Sequence, residues 1–397
     1  MGRAGEYVKA GSYRAFRPSR LPPHPPVAIT EDISFNLSRA DRALARLDGA
    51  IATIPDPEML VYAFMRQEAI LSSQIEGTQA SLEDLFEYEI ENDEANEKTD
   101  VVDVVCYLRA MKWTLSELAR RPVSLNLVRE AHAILLSKGR GAQRAPGEFR
   151  RAQNWIGPAG CRLEEASFVP PAVPDMLAAL GDLEDFIHRR DKIPDLIRCA
   201  IIHAQFETIH PFWDGNGRIG RMLITLLLCE REILESPALY LSLFFKKHRD
   251  EYYQKLQAVR TDGNWEDWIL FFLRGVAITS KSALIAARRI RDLREKMLNE
   301  AGKISNSQNA FAFGELLFHH PYLRVQTVAD RMKITFPTAN ALVKAYEKAG
   351  YLQNVTGQRR HRIFAFRAYL DILHECADDL TDVIGETDHL VTPSNPS

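Results

Sequence analysis

A loop of twelve residues between two apolar helical stretches constrains this chain most. Before the loop, apolar residues at helical spacing run from Leu196 to Ala204, and after it Ile219 to Cys229 is apolar enough to be a buried helix. The loop, residues 210–221, reads His-Pro-Phe-Trp-Asp-Gly-Asn-Gly-Arg-Ile-Gly-Arg. Because a proline restricts the residue before it, the first helix should stop near Thr208 and leave His210 on extended backbone, facing a cleft.

The residue types in this loop suit the handling of phosphate. The two glycines in 215–217 let backbone N–H groups converge on an anion at the N-terminus of the second helix. Arg218 and Arg221 lie on neighbouring positions of its first turn and are suited to bidentate phosphate contacts. Asp214 is placed to hold Mg²⁺, which takes few protein ligands. A Gly-Asn-Gly sequence alone is usually only a turn, but His210 and the other groups all fit one phosphate-handling role.

The loop resembles the complete signature of the Fic family, and no specified position departs from the pattern. The best-known activity of that family is the transfer of AMP from ATP to a protein hydroxyl. The resemblance implies that His210 is the catalytic base and that Asp214 is the ligand of Mg²⁺. It also implies a nucleotide site formed by Gly215, Asn216, Gly217, Arg218, Ile219, Gly220 and Arg221.

A second motif ends the helix that we predict from Glu58 to about Ile75. Ser72 is followed four residues later by Glu76 and then by Gly77, which fits the C′ position of a helix. By itself Glu76 is an ordinary exposed helix-end acid. The motif is similar to the inhibitory motif of Fic proteins, whose glutamate pairs with the second arginine of the signature, here Arg221. Its place upstream of an intact signature favours this interpretation.

The helical pattern breaks between Arg140 and Pro174. Aromatic and β-branched residues between glycines and prolines predict a short hairpin, which could serve packing alone. In Fic proteins a matching segment is the flap that docks the target's backbone as an added strand, and we favour this role because the hairpin lies just upstream of the signature. The expected docking residues are Gln153, Asn154, Trp155 and Ile156. Tyr252 and Tyr253 lie on an apolar helical segment typical of a core, but the resemblance makes both candidates for contacting the adenine.

The last part of the chain has a signature of its own. Residues 308–373 predict three helices (311–318, 325–332 and 336–348) and two strands (350–352 and 363–366) around a turn at 357–360, a pattern that resembles a winged helix-turn-helix. Residues 305–372 contain nine Lys and Arg against four Asp and Glu, a net charge of +5 in a chain of −3. A basic wing suits DNA phosphates, whereas winged helices also dock proteins or dimerise, and the sequence leaves both open.

Composition limits the remaining possibilities. The net charge of −3 argues against nonspecific nucleic-acid binding by the whole chain. Five scattered cysteines without a CxxC spacing predict reduced thiols and neither disulfides nor zinc. The N-terminus has no hydrophobic segment of signal-peptide length, and the longest apolar run, Met222 to Cys229, is too short to span a membrane. We therefore expect a soluble, cytoplasmic protein that does not contact a membrane.

The predicted fold is all-α, with a Fic core that carries one small β-hairpin. The acidic residues between Glu83 and Asp100 should be a solvated face or a mobile loop. The expected segments are a proline-rich extended arm (1–30), a helical segment with the inhibitory helix (31–123), the Fic core (124–285), a charged helix and linker (286–307), the winged helix (308–373) and a disordered tail (374–397).

The expected function is that of a protein adenylyltransferase acting on a Ser, Thr or Tyr hydroxyl of a protein target and autoinhibited by Glu76. Two alternatives stay open. The same site could remove AMP or transfer another phosphate-linked group, or the chain could be a DNA-binding regulator whose core only senses nucleotide. A second copy of the chain and duplex DNA are further candidate partners.

Overall fold

The protein is mostly helical in a computed structural model that describes residues 2–91, 99–158, 160–356 and 362–378. It comprises two compact units. The first consists of Met1–Asp48, Phe64–Ala80 and Lys98–Ser280, and the second of Gly49–Ala63, Ser81–Glu97 and Lys281–Ser397. In chain order the elements are β1 (Gly5–Ala10), β2 (Tyr13–Pro18), α1 (Glu31–Ala52), α2 (Pro57–Ile75), α3 (Leu82–Glu91), α4 (Thr99–Leu118), α5 (Leu125–Leu135), α6 (Val173–His188), α7 (Asp195–Ile209), α8 (Asn216–Glu230), α9 (Ser242–Lys247), α10 (Arg249–Asp262), α11 (Trp265–Ile304), α12 (Ala310–His319), β3 (Tyr322–Arg324), α13 (Val325–Met332), α14 (Phe336–Lys348), β4 (Gln353–Asn354), β5 (Ile363–Ala365) and α15 (Arg367–Asp378).

The core of the first unit is the pair α7 and α8. Every residue of α7 from Leu196 onward is buried, as expected for a helix that is apolar nearly all round and therefore central. It packs against α6, α8 and α10, while α4 and α5 pack on each other and on α8. Trp268 of α11 donates from its indole nitrogen to the backbone oxygen of Ala200, at 2.8 Å. The two helices that flank the signature loop are thus held by packing on several sides.

The prediction of an extended arm over residues 1–30 was wrong for its first half. Strands β1 and β2 form an antiparallel hairpin, with Ala10 opposite Tyr13. The two residues between them are Gly11 and Ser12, and Gly11 has a φ of 68°. A glycine followed by a small polar residue is a recognised two-residue hairpin turn, which the proline content of the segment had masked. Phe16 of β2 is 1% exposed, so this segment is part of the core.

The hairpin predicted between Arg140 and Pro174 is reduced to a single bridge. The N–H of Ile156 donates to the oxygen of Phe168 at 2.8 Å, and the N–H of Phe168 donates to the oxygen of Ile156 at 3.1 Å. Prolines at positions 158, 170 and 171 cannot donate to a ladder, which explains why the pairing does not extend. On the outer side, the N–H of Phe16 donates to the oxygen of Val169 at 2.9 Å, so β2 borders this segment.

The predicted boundary at residues 285–286 falls inside one continuous helix, because α11 runs unbroken for 40 residues. No proline interrupts it from Trp265 to Ile304. This helix is long and apolar enough to cross a membrane by length and composition, but 72% of its most apolar window is buried inside the protein. A buried core helix meets the same criteria, so the finding is weak evidence for a membrane span.

In the second unit, α12, α13 and α14 accompany a three-stranded antiparallel sheet in the order β3-β5-β4. Helices α13 and α14 begin and end where the sequence predicts, and Thr335 caps α14 by accepting from the N–H of Thr338. The strand predicted at 350–352 begins later, at Gln353, because the N–H groups of Tyr351 and Leu352 bond to the oxygen of Tyr346. The predicted turn at 357–360 lies outside the described residues.

Two further predicted segments lie partly outside the described residues. The predicted disordered tail was wrong for residues 374–378, which belong to α15, and residues 379–397 lie outside the described part. In the acidic stretch, residues up to Glu91 form α3, whereas 92–98 lie outside the described part.

Candidate active site

His210 ends α7 in a left-handed conformation, not on the extended backbone that the sequence suggested. Its φ is 49° and its ψ is 61°, and its N–H donates to the oxygen of Phe206 at 2.9 Å. This is a usual way to end a helix, and it becomes available here because the following Pro211 excludes the α region. The oxygen of His210 accepts from Arg150 Nε at 3.1 Å and from Asn154 Nδ2 at 3.2 Å. The backbone that carries the imidazole is therefore fixed from two directions.

The imidazole of His210 is uncharged at neutral pH. Burial lowers the pKa of His210 to about 3, and the positive charges of Arg260 and Arg150 act in the same direction, while Glu76 opposes them. Its Nδ1 is buried without a hydrogen-bond partner among the described residues. A neutral imidazole has an unprotonated nitrogen, so His210 can accept a proton from a hydroxyl group.

The rest of the loop is held by Asn216 and by a histidine that the sequence analysis did not consider. Asn216 accepts from the N–H of Phe212 at 2.8 Å and donates back to its oxygen at 2.9 Å. The ring of His132 stacks on that of Phe212 with centroids 3.7 Å apart. Because His132 Nδ1 accepts from the N–H of Gly147, its Nε2 carries the proton and donates to the oxygen of Asp214, at 3.0 Å.

Burial lowers the pKa of His132 to about 4, so this arrangement keeps a neutral ring. The signal in the sequence was weak, because a histidine on the apolar face of α5 is usually a core residue. His132 is 0% exposed and never reaches the cleft, so its role is to hold the loop.

Helix α8 begins three residues earlier than predicted. Gly215, with a φ of 77°, is its N-cap, and Gly217 is already in the first turn. Of the two glycines, only Gly215 therefore has a positive φ. The N–H of Ile219 bonds to the oxygen of Gly215 at 3.0 Å, and the Ile219 side chain is buried in the core. Of the predicted nucleotide residues, Ile219 thus contributes through the helix and not through its side chain.

The first arginine of the signature is turned toward two carboxylates. Arg218 Nη2 lies 3.4 Å from Asp214 Oδ1, and Arg218 Nη1 lies 4.0 Å from Oδ2 of the buried Asp103 on α4. Asp103 also accepts from Arg140, at 2.9 Å from its backbone N–H and at 2.8 Å from its Nε. Arg218 and Arg140 are thus gathered beside Asp214 by one acid that the sequence analysis missed.

The second arginine carries the pair expected from the inhibitory motif. Arg221 Nη2 lies 2.7 Å from Glu76 Oε1, and Arg221 also donates to Ser72, from Nε to the hydroxyl at 2.9 Å and from Nη2 to the backbone oxygen at 2.8 Å. A Cβ at position 217 would collide with Glu76 Oε1, so Gly217 leaves the space in which this carboxylate lies, over the first turn of α8. Gly77 follows α2 with a φ of 94°. The structure thus brings Ser72, Glu76 and Arg221 together.

The electrostatics of this pair are consistent with its geometry. Burial alone would raise the pKa of Glu76, but Arg221, with help from Arg218, holds it below its ordinary value. An anion at the N-terminal turn of a helix is also favoured by the unbonded N–H groups and the helix dipole. The carboxylate therefore lies in a site suited to negative charge.

The predicted flap residues divide into inward and outward groups. Asn154 is 7% exposed and donates to the oxygens of His210 and Phe212. Gln153 donates from Nε2 to the oxygen of Pro170 at 2.8 Å. Trp155, by contrast, is 42% exposed, and Ile156 pairs with Phe168 as described above. Only Trp155 of the four presents a large exposed side chain.

The two tyrosines differ in the same way. Tyr252 is 1% exposed, and its hydroxyl lies 2.8 Å from His203 Nε2. Since His203 Nδ1 lies 2.9 Å from the oxygen of Gly220, it must carry the proton, and Nε2 accepts from Tyr252. Tyr252 is therefore a core residue that braces α8. Tyr253 is 41% exposed, with the Arg249 guanidinium 5.6 Å from its ring centre.

A buried acid beside the site, Glu207, also escaped the sequence analysis. It is 7% exposed, and its Oε1 has no hydrogen-bond partner among the described residues. Burial raises its pKa to about 7, although Arg221 and Arg260 oppose this effect. A Cβ at Gly220 would lie 2.5 Å from Glu207 Oε1, so the glycine makes room for the carboxyl group. The only signal in the sequence was an acid near the end of a helix that is buried along nearly its whole length.

No cluster for a metal ion is present in the part of the chain that the structure describes. Within it, no group of three or more His, Cys, Asp or Glu side chains converges in a way that could hold an ion. Asp214 therefore offers a single carboxylate, which is 41% exposed and accepts from the N–H of Gly215 at 2.5 Å. One exposed carboxylate fits an ion such as Mg²⁺ that takes most of its ligands from phosphates and water.

The fold and the site together define a class of helical protein in which a histidine at a helix end faces a helix N-terminus that carries two arginines. Residues 35–116 match the Fic/DOC family N-terminal region, and residues 122–228 match the Fic/DOC family. Over these residues the chain is similar to the Fic/DOC family.

Known relatives agree with this assignment. A probable protein adenylyltransferase of Aquifex aeolicus is 29% identical over 193 residues, which cover 45% of this chain and 53% of that protein. Protein adenylyltransferase Fic of Aedes aegypti is 28% identical over 166 residues, 41% of this chain and 30% of that protein. The chain thus spans about half of the first relative and less of the second. A Fic family protein of Desulfovibrio desulfuricans has the same fold, with a TM-score of 0.55 at 18% identity over 86% of this chain and 97% of that one.

Proposed function

We propose that this protein is an adenylyltransferase that transfers AMP from ATP to a Ser, Thr or Tyr hydroxyl of a protein target. One observation carries the proposal. The uncharged His210 stands at the end of α7, on the loop that leads directly into the N-terminal turn of α8 with Arg218 and Arg221. A proton acceptor and a phosphate site are thus parts of one short loop. The relatives named as protein adenylyltransferases support the same activity.

The mechanism follows from this placement. The phosphates of ATP lie over the first turn of α8, where backbone N–H groups and the arginines neutralise their charge. The target hydroxyl attacks the α-phosphorus and passes its proton to the imidazole of His210. A new oxygen–phosphorus bond forms, and the bond to pyrophosphate breaks. Such reactions depend mainly on in-line positioning and charge neutralisation, and general-base help contributes on the order of 10²–10⁴-fold.

Asp214 is the residue that would hold Mg²⁺. The ion would neutralise charge on the phosphates. The chain's own contribution is to fix that carboxylate, because His132 binds the Asp214 oxygen and Gly215 donates to its side chain.

Glu76 acts as an inhibitor within this proposal. Its carboxylate lies over the turn of α8 that would receive phosphate and pairs with Arg221. We expect ATP to bind with its triphosphate displaced while this pair is intact, so that the α-phosphorus is not in line with the hydroxyl. Because α2 ends at Ile75, any contact that withdraws this helix end would release Arg221.

The target docks along the flap. Ile156 uses both of its backbone groups on Phe168. Since backbone groups alternate along a strand, those of Trp155 point to the opposite edge, where an extended target segment can pair. The exposed Trp155 ring would then pack against a side chain of the target.

The direct test is incubation of the protein with labelled ATP and a cell lysate, followed by gel electrophoresis and mass spectrometry. We expect one or a few labelled proteins, each carrying AMP on a hydroxyl residue. Label that appears only in free AMP would favour hydrolysis. Loss of label from a protein that already carries AMP would favour the removal reaction, which the same site could perform.

A second candidate function concerns the second unit. Its three helices and three-stranded sheet have the order of elements of a winged helix-turn-helix, and the segment carries a net charge of +5. Helix α14 would be the recognition helix. Its N-cap residue Thr335 and its residues Phe336 and Lys344 are exposed. A chain with this module could also be a DNA-binding regulator. Helices of this type also dock proteins, including a second copy of the same chain.

A titration with fluorescent duplex DNA tests this second function. We expect binding at low salt that weakens steeply as salt rises, because contacts of this kind are made mainly to phosphates. Lys344→Ala should weaken binding, whereas Lys281→Ala on α11 serves as a control outside the module. Absence of binding by the wild type at low salt would contradict the DNA function and leave protein docking as the role of this module.

A further inference from the structure

Arg260 of α10 binds the end of α7 that carries His210. Its Nη2 donates to the oxygen of Glu207 at 3.0 Å, and its Nε donates to the hydroxyl of Thr208 at 3.2 Å. In a continuing helix the oxygen of Glu207 would accept from the N–H four residues later, but that residue is Pro211, which has none. The guanidinium of Arg260 supplies the missing donor. It thereby holds the last turn of α7 two and three residues before His210.

One face of the same guanidinium packs against the flap. Its central carbon is 4.1 Å from the centre of the Phe168 ring, a close cation–π contact. Phe168 is the residue that pairs with Ile156, and its ring is 5.7 Å from that of Phe16 in β2. Arg260 is therefore enclosed between the flap, backed by the N-terminal hairpin, and the helix that ends in His210.

The surroundings of Arg260 favour a guanidinium over a smaller donor. Arg260 is 9% exposed, and although the buried Glu207 interacts with it electrostatically, no carboxylate among the described residues forms an ion pair with it. Burying a charge without such a pair is unfavourable, and burial lowers the pKa of Arg260 to about 10. A smaller neutral donor would serve one helix end as well, but only a planar guanidinium binds two acceptors at its edge while its face lies on an aromatic ring.

We propose that Arg260 is a positioning residue that couples the flap to His210. A target strand that docks on the flap fixes the segment containing Ile156 and Phe168. Phe168 then fixes the plane of the Arg260 guanidinium, whose edge sets the oxygen of Glu207 and hence the position of the imidazole. The part of this inference that concerns a target rests on the proposed function. The link between flap and histidine exists without a target and can be measured alone.

Three variants separate the parts of this link. Arg260→Lys keeps the charge but loses the planar fork, and Arg260→Gln also loses the charge. Arg198→Lys on α7 is the control, because Arg198 is likewise buried, lies 4.7 Å from the Phe186 ring and donates to a backbone oxygen at 2.9 Å, although it also forms an ion pair with Asp191. Arg198 lies near the start of α7, whereas Arg260 binds its end. If the effects came only from a general loss of stability, the Arg198 and Arg260 variants should therefore behave alike.

Hydrogen–deuterium exchange measures the flap side. We expect the amides of Ile156 and Phe168 to exchange about tenfold faster or more in both Arg260 variants, because the flap loses the surface on which Phe168 lies. Arg198→Lys should leave these two amides unchanged. Equal exchange in wild type and Arg260→Lys, or the same acceleration in Arg198→Lys, would overturn the proposal.

The titration of His210 by NMR measures the other side. The charged groups that face this ring are Arg260 from α10, Glu76 from α2 and Arg150 from the segment before the flap, in addition to the effect of burial. A positive charge lowers the pKa of a histidine, so Arg260→Gln should move the midpoint of the His210 ring signals to higher pH, while Arg260→Lys should not. An unchanged midpoint in Arg260→Gln would contradict the proposal.

Phe168→Leu provides a second route if the Arg260 variants fold poorly. It leaves both hydrogen bonds from Arg260 to α7 in place and removes the ring on which Arg260 lies, together with the contact of that ring with Phe16. We expect it to shift the His210 ring signals in the folded protein, whereas no shift would overturn the coupling. Transfer of labelled AMP should also fall about tenfold in Arg260→Lys at unchanged ATP affinity. If no variant transfers AMP, the proposed function fails, and the exchange and NMR results still decide the coupling.

Discussion

Replacement of Glu76 by glycine is expected to raise the transfer of labelled AMP about tenfold or more, including transfer onto the protein itself. In the wild type the carboxylate lies 2.7 Å from Arg221 Nη2, over the first turn of α8. A triphosphate displaced by about 1 Å from the in-line position can already react roughly 10²-fold more slowly. Glycine removes both the charge and the side chain, so Arg221 becomes available to the nucleotide. The measurement is the initial rate of label incorporation at equal protein concentration.

Two further variants sharpen this result. Glu76→Asp keeps a carboxylate near Arg221 and should change the rate less than glycine does. Gln74→Gly introduces the same flexibility into the last turn of α2 without touching Arg221, since Gln74 bonds to Ala80 and Lys246. It should leave the rate near that of the wild type. Equal activity of the wild type and Glu76→Gly would show that Glu76 is only a helix-end acid.

His210→Ala is expected to abolish transfer while leaving ATP binding nearly intact. The phosphate site is formed by α8 and its arginines, so removal of the imidazole takes away the proton acceptor and little of the binding surface. General-base catalysis contributes on the order of 10²–10⁴-fold, which would place the residual rate below detection in an already slow enzyme. The variant should therefore be made in the Glu76→Gly background, where the reference rate is measurable.

Calorimetric titration with ATP provides the control for this variant. A dissociation constant within about threefold of the parent, less than 1 kcal/mol, would show that the site is intact. A normal transfer rate in His210→Ala would contradict the assignment of the base. Loss of ATP binding together with transfer would instead mean that the histidine supports the fold of the loop.

The helices were predictable wherever a local signal was sufficient. The apolar spacing of α2, α13 and α14 placed their ends within about one residue, because periodicity acts over a single turn. The signature loop was equally accessible, since its residue types are contiguous. The pairing of Glu76 with Arg221 was expected only through the resemblance, because 145 residues separate the two in the sequence.

What the sequence did not reveal depends on contacts between distant segments. The left-handed His210 is selected by Pro211 together with the bonds that Arg150 and Asn154 make to its oxygen. Arg260 and Glu207 read as ordinary residues of a charged and an apolar helix until the fold brings them together. The N-terminal hairpin was missed for another reason, namely that the prolines from residue 18 onward dominated the interpretation of a segment in which β2 buries Ala15, Phe16 and Pro18.

The proposed reaction transfers AMP and no other part of ATP. It is tested most directly by incubating the Glu76→Gly variant and a lysate with ATP labelled either at the α-phosphate or at the γ-phosphate. We expect the α-label to become covalently bound to protein, the γ-label to remain with pyrophosphate, and both signals on protein to be absent in the Glu76→Gly, His210→Ala double variant. Transfer of the γ-label to protein, or no protein-bound label from either nucleotide, would contradict the account.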